Sequence, residues 1–343
     1  MKDYPSILPP RFVANFLQRI GEHFAASELI PRGCNNQVYH IYSTRREYFL
    51  KAYFRHPYDS RDRLRAEYSF LVFCKRHGIT TVPLPVAYDA AAGMALYSWI
   101  DGQPLRRGEI HAEELCRAAE FFSVLARMSR LSGSCDLPLA ADACICPQDH
   151  LDLVQRRLDT LRACLFQWKQ TPIVRSAQHF MKTCLAPAFS KEKTRIIKML
   201  GVNSLHRPLP AVEWIASPSD FGFHNALRVR DGLCFVDFEY AGWDDPIKTL
   251  CDFVCQPEIP VPESSMKLLV RAMHNNDVVA RQLLHSAHVF LPLHRLKWCC
   301  IMLNEFKMMD AERRSFACGK SIGEERTAAQ LAKAQQYFEE HCF

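Results

Sequence analysis

Two short stretches decide how this chain reads: Ser219-Asp220-Phe221-Gly222-Phe223-His224-Asn225 and, a little further on, Val236-Asp237-Phe238-Glu239. Between them, apolar runs at 227–229 and 233–236 flank Asp231-Gly232, a strong short-range signal for a β-hairpin. An Asp followed five positions later by an Asn can divide the work of phosphoryl transfer. Asp220 would face the acceptor hydroxyl and take its proton, and Asn225 would offer an oxygen to a metal. Magnesium takes few protein oxygens and keeps several waters, so one more carboxylate at the end of a hairpin strand, Asp237, is enough. Asp-x4-Asn alone is common, and its bland reading is a capped turn. Followed by a hairpin and a second Asp, it has the order of a kinase catalytic loop and metal loop.

Upstream, 37–42 and 48–53 read as two strands joined by a polar turn at 43–47. Gly33-Cys34-Asn35-Asn36 precedes the first of them. A glycine-containing turn there lets backbone N–H groups approach phosphates, which marks Gly33, Asn35 and Asn36 as nucleotide-binding candidates. Lys51 is a charge inside an otherwise apolar and aromatic strand. Glu67 falls in the next segment, a helix whose expected face is Leu64, Tyr68, Leu71 and Lys75 and which stops at Gly78. A Lys held by a Glu beside nucleotide phosphates is a kinase arrangement. A further strand is expected at 94–100.

Together these residues resemble the aminoglycoside phosphotransferase and choline kinase-like family of small-molecule kinases. The likeness runs from about residue 30 to about 253. It rests on 33–39, Lys51, Glu67, Asp220-x4-Asn225 and the run Asp237-Phe238-Glu239-Tyr240-Ala241-Gly242-Trp243-Asp244-Asp245-Pro246. The resemblance implies a bilobal protein-kinase-like α+β fold, with a small β-rich N-lobe (1–100) and a larger, mostly helical C-lobe (101–343). It also implies ATP or GTP with Mg²⁺. Carried over residue by residue, Asp220 is the base and Asn225 and Asp237 are the metal ligands. Lys51 holds phosphates, Glu67 positions Lys51, and 97–100, with Tyr97 and Trp99, forms the hinge against the purine. The chain departs from the family pattern in one place: His-Gly-Asp is replaced by Pro218-Ser219-Asp220.

Composition narrows the alternatives. The 343 residues are 48% hydrophobic and 23% charged, as in ordinary soluble domains. A net charge of +6 without a basic run gives little support to nucleic-acid binding. The fifteen cysteines lack paired metal-knuckle spacing, and their odd number suits reduced thiols in a cytoplasm. The N-terminal residues lack the apolar stretch of a signal peptide, and no window suggests membrane insertion. Beyond Gly102 the pattern turns helical, at 115–129, 151–165, 264–274, 278–290, 293–309 and 322–341.

The acceptor is expected to be a small molecule carrying a hydroxyl, sugar-like or an amino alcohol. Glu239, Trp243 and Asp244 are candidate contacts, and His294, Arg295, Lys297, Lys307, Arg313 and Arg314 are read as a basic face favouring a neutral or anionic ligand. Four other readings stay open: a pseudokinase scaffold, an aminoglycoside-modifying enzyme, a Ser/Thr protein kinase and a nucleotidyl transferase. Against the protein kinase, no Ala-Pro-Glu segment follows Asp237. The oligomeric state is left open.

Overall fold

The computed structural model describes residues 10–30, 35–132, 136–318 and 324–342. The first part of the chain builds one antiparallel sheet and two helices. These are α1 (Pro10–Gln18), β1 (Phe24–Ile30), β2 (Gln37–Ser43), β3 (Glu47–Ala52), α2 (Arg63–Arg76), β4 (Pro85–Asp89) and β5 (Met94–Ser98), with the strands in the order β1-β2-β3-β5-β4. Strand alternation sorts the side chains by face. Tyr39, Ile41, Tyr48, Leu50 and Leu96 pack with Val13, Phe16 and Leu17 of α1 into a small core of their own. The register pairs Lys51 with Val38 and Ala95, and Phe49 with Tyr97, on the opposite face.

Asp62 caps α2 by accepting from the Arg65 N–H, and Gly78, at φ +67°, lies just beyond its end. The buried stripe is Leu64, Glu67, Phe70, Leu71 and Cys74, while Lys75 is exposed. The helix is therefore rotated from the face expected of it. Glu67 has to point inward to meet Lys51, and a buried carboxylate is tolerated only with such a partner.

The rest of the chain is largely helical. It comprises β6 (Gln103–Pro104), α3 (Ala112–Ser132), α4 (Pro147–Gln167), α5 (Pro172–Phe180), a π-turn at Met181–Leu185, α6 (Ala186–Leu200), α7 (Val202–Leu205) and β7 (Ile215–Ser217). The hairpin β8 (Ala226–Val229) and β9 (Gly232–Phe235) follows, then β10 (Gly242–Asp244), α8 (Pro246–Cys255), α9 (Ser265–Met273), α10 (Asp277–Met302), α11 (Met308–Cys318) and α12 (Glu324–His341). Strand β6, arriving from the small sheet, pairs with β8, and β10 pairs with β7. These short ladders fix the hairpin and the Asp220 loop to the large core, which runs from α2 through α3, α4, α8 and α10.

The helices expected at 278–290 and 293–309 are joined through Pro292 into α10, which ends at Met302 and is followed by a 3-10 turn at Leu303–Phe306. Interior proline costs a helix about 3 kcal/mol. Burial of Phe290, Leu291, Leu293, Leu296 and Trp298 on both sides of it outweighs that cost. The end of the chain also serves the small sheet: Gln37 Nε2 donates to the Phe316 carbonyl of α11 at 3.0 Å, and Phe54 packs on Phe316. Among the described residues no helix is long and apolar enough to cross a membrane.

Candidate active site

The loop after β7 carries Asp220. Phe221 and Phe223 anchor it by packing into the core against Phe122 and Phe253. Ser217 Oγ accepts from the Ser219 N–H at 3.0 Å and from Thr249 Oγ1 at 2.8 Å. Ser219 sits at φ +62°, the left-handed region. The family's usual residue at this position is glycine, so the loop keeps a glycine-like conformation with a serine in it. Pinned on both sides, the Asp220 carboxylate is left 35% exposed, with His224 Nε2 3.7 Å away. Burial alone would lower the His224 imidazole, but Asp220 and then Asp237 outweigh it and raise it.

Asn225 Nδ2 donates to the Asp220 carbonyl at 2.9 Å, which leaves the Asn225 side-chain oxygen as an acceptor. The Val236 N–H donates to the Asn225 carbonyl at 2.9 Å, so the end of the hairpin is tied to the Asp220 loop. Asp237 follows at φ +68°, a conformation Asp tolerates better than most residues, and its side chain is 39% exposed. Lys51 Nζ meets Asp237 Oδ1 at 2.5 Å and Glu67 Oε2 at 2.7 Å. Tyr53 and the Phe238 N–H also donate to Glu67. Burial opposes the Lys51 charge, but Asp237, Glu67 and Glu239 hold its pKa well above the ordinary lysine value. The structure thus brings Asp220, Asn225, Asp237, Lys51 and Glu67 into one connected run.

Other candidates land elsewhere. Gly33 lies outside the described residues. The Asn35 and Asn36 side chains do not stand open to a ligand: both donate to the Glu239 carboxylate, Asn35 at 2.5 Å. Glu239 is 2% exposed and so is not a free acidic contact for an acceptor. Tyr97 is fully buried and its hydroxyl meets Tyr53 OH at 2.6 Å, so its ring supports α2 and gives the purine no surface. Trp99 is half-buried and stacks on His40 with centroids 3.6 Å apart.

Trp243 packs edge-on against Phe73 in the core. Asp244 is completely buried, pairs with Lys248 of α8 at 2.6 Å, and accepts from the Cys144 N–H. Neither Trp243 nor Asp244 has a surface to offer an acceptor. The basic face also dissolves. His294 and Lys297 are buried, with Lys297 paired to Asp252, and Arg295 pairs with Glu263 at 2.5 Å. Their counter-charges sit far away in sequence, on α8 and in the segment before α9, where helix spacing alone gives no sign of them.

Three features have no counterpart in the sequence reading. Arg63 on α2 is buried and reaches both Asp59, at 2.6 Å, and Glu239, at 3.7 Å. Arg61 and Arg63 both lie over the Tyr240 ring, at 5.7 and 5.8 Å. Gly242 passes so close to residues 138–140 that a Cβ there would run into the Pro138 carbonyl oxygen.

The site fits a magnesium–nucleotide ligand. Asp237 and the side-chain oxygen of Asn225 would offer it hard oxygen donors, and the charged Lys51, in contact with Asp237, would face phosphate.

Residues 27–255 match the phosphotransferase enzyme family, APH, and the chain belongs to that family. It is a phosphotransferase with the protein-kinase-like fold, and its class is that of the small-molecule kinases. The structure is similar to the choline kinase LicA from Streptococcus pneumoniae, at 14% identity and TM-score 0.61, with 96% of this chain and 98% of that one covered. It is also similar to the structure of the gentamicin–APH(2")-IIa complex, at 12% identity and TM-score 0.59, covering 96% and 97%. Spectinomycin phosphotransferase APH(9)-Ia, solved with ADP and spectinomycin, aligns at 9% identity and TM-score 0.57, covering 97% and 98%. No curated protein matches the sequence.

Proposed function

We propose that this protein transfers the γ-phosphate of ATP or GTP to a hydroxyl of a sugar-like or amino-alcohol acceptor. One observation supports this above the others: a single loop and a single hairpin join Asp220, Asn225 and Asp237 in a hydrogen-bonded run that ends on buried, charged Lys51. Asp237 and Asn225 would hold Mg²⁺, whose role when bound is to bridge phosphate oxygens and offset their charge. Lys51, kept in place by Glu67, turns its remaining hydrogen to the nucleotide's phosphates. Asp220, partly exposed at the loop, accepts the acceptor's proton.

The character of the acceptor follows from what is already used. A polycationic acceptor needs open carboxylates, but Glu239, Asp244 and Asp245 beside the metal loop are buried and engaged by Asn35, Asn36, Lys248, His150 and the start of α8. The neighbouring Tyr240 adds no open carboxylate either: its ring lies under Arg61 and Arg63, both themselves paired with Asp59. This supports a neutral or anionic sugar-like molecule over an aminoglycoside.

The test is ADP release from MgATP and MgGTP with monosaccharides, amino alcohols and aminoglycosides, alongside Asp220→Asn. Turnover with a sugar or amino alcohol, lost in the variant, is expected. Turnover with aminoglycosides alone overturns the acceptor assignment, and none with any acceptor favours a scaffold.

A further inference from the structure

We propose that Glu239 is a clasp: its two carboxylate oxygens grip Asn35 and Asn36 and hold the segment before β2 in register with the metal loop. This makes Glu239 a positioning residue for the nucleotide's phosphates. The inference rests on the reading of Asp237, two residues earlier, as a metal ligand.

The geometry is specific. Glu239 Oε1 accepts from Asn35 Nδ2 at 2.5 Å, and Oε2 accepts from Asn36 Nδ2. Asn36 cannot turn its amide round, because its own Oδ1 accepts from the Phe54 N–H at 3.1 Å. Two donors therefore converge on one residue, and only a carboxylate offers an acceptor to each. The charge is balanced by Arg63 Nε, 3.7 Å from Oε2. Arg63 is fixed in turn by Asp59 and the Phe54 carbonyl, so Glu239, Asn36 and Arg63 are buried and pre-set, with Asn35 half-buried at their edge. It joins residues 204 apart in sequence, one beside the small sheet and one in the metal loop. With the clasp intact the two move together; without it each can keep its own fold while their spacing loosens.

The experiment measures binding of MgATP and MgADP to the full chain by titration calorimetry, with thermal unfolding as a check on folding. Glu239→Gln turns one acceptor into a donor facing Asn35, and Asn35→Asp sets a second carboxylate against Glu239. Each is expected to weaken MgATP binding by about tenfold, the loss of one charge-assisted hydrogen bond. The combined Glu239→Gln/Asn35→Asp variant restores donor to acceptor and should return affinity to within about threefold of wild type, a coupling that a passive structural role does not give. In turnover assays the single variants should raise KM for nucleotide more than they lower kcat.

Single variants that bind MgATP as tightly as wild type overturn the clasp, and so does a folded double variant as weak as the product of the singles. Should Glu239→Gln fail to fold, Asn35→Ala, at a half-buried position, must show the same loss of affinity. Asp237→Asn separates the two layers. If it keeps magnesium-dependent binding, the metal-site reading falls; if it loses it while the Glu239 and Asn35 variants do not, the clasp alone falls.

Discussion

Lys51 and Asp237, one from the small sheet and one just past the β8–β9 hairpin, meet at 2.5 Å across residues 186 apart in sequence. Each would take up a different part of the same ligand, one the phosphates and the other the metal. Their contact brings the small sheet and the hairpin within a single hydrogen bond of each other. Lys51 also answers the buried Glu67, so its role in the fold and its role in the site are joined.

That double duty makes a specific expectation. Lys51→Met should cost about 3–5 kcal/mol of stability by leaving Glu67 buried without its cation. Lys51→Met/Glu67→Gln should recover much of it, because a neutral amide needs no buried cation: its oxygen can accept from the Phe238 N–H while its NH2 donates to Tyr53 OH, whose own proton can turn to Tyr97. Neither variant should turn over nucleotide. Urea unfolding beside ADP release checks both statements, and equal stability of the single and double variants would argue against the pairing.

Ser219 tests the loop geometry. At φ +62° a β-branched residue is strongly disfavoured, so Ser219→Val should destabilise by about 2 kcal/mol. Ser219→Gly relieves the same strain but adds freedom to the unfolded chain, for a net gain of about 0.5 kcal/mol. Denaturant midpoints of the two variants should fall on opposite sides of wild type.

Gly242 is set by close approach. The Trp243 N–H donates to the Pro138 carbonyl and the Ala140 N–H to the Trp243 carbonyl, leaving no room for a methyl group. Gly242→Ala should cost about 1–3 kcal/mol through overpacking and loosen the end of the metal loop. Thermal unfolding with and without MgATP reads both effects; an unchanged midpoint would mean that the segment at 138–140 yields easily.

The fold and the site differ in how much of each is legible in the sequence. The Asp220–Asn225 loop and its hairpin can be read because their geometry is local: a few residues, one turn and one alternation of apolar side chains. Lys51 and Glu67 can be read because a lone charge in an apolar strand asks for a partner. Glu239, Asp244, His294 and Lys297 pass for ligand contacts in the sequence for the opposite reason. They look like free charges until the fold supplies partners such as Asn35, Asn36, Lys248 and Asp252, all but Lys248 remote in sequence. Pro292 reads as a helix boundary because local propensity cannot register the burial around it.

The buried histidine predicts a pH dependence. Burial first, then the charges of Lys297, His150 and Lys248, holds the His294 pKa well below its ordinary value. Unfolding frees it to bind a proton near pH ~6.5. The unfolded chain thus binds more protons below that pH, and His294 contributes stability that is full above about 6.5 and is lost as pH falls toward its depressed value. Between about pH 7.5 and 5 wild type should lose about 1 kcal/mol or more beyond the loss seen in His294→Gln. Parallel curves for the two proteins would mean that His294 is charged in the fold.

The most direct measurement is nucleotide turnover across a magnesium titration in wild type, Asp220→Asn and Asp237→Ala, with a sugar or amino-alcohol acceptor. The account predicts magnesium-dependent turnover in wild type and a loss of about 10²–10⁴-fold in Asp220→Asn with little change in nucleotide affinity. It also predicts that a folded Asp237→Ala has no magnesium response. Undiminished turnover in either variant would contradict it.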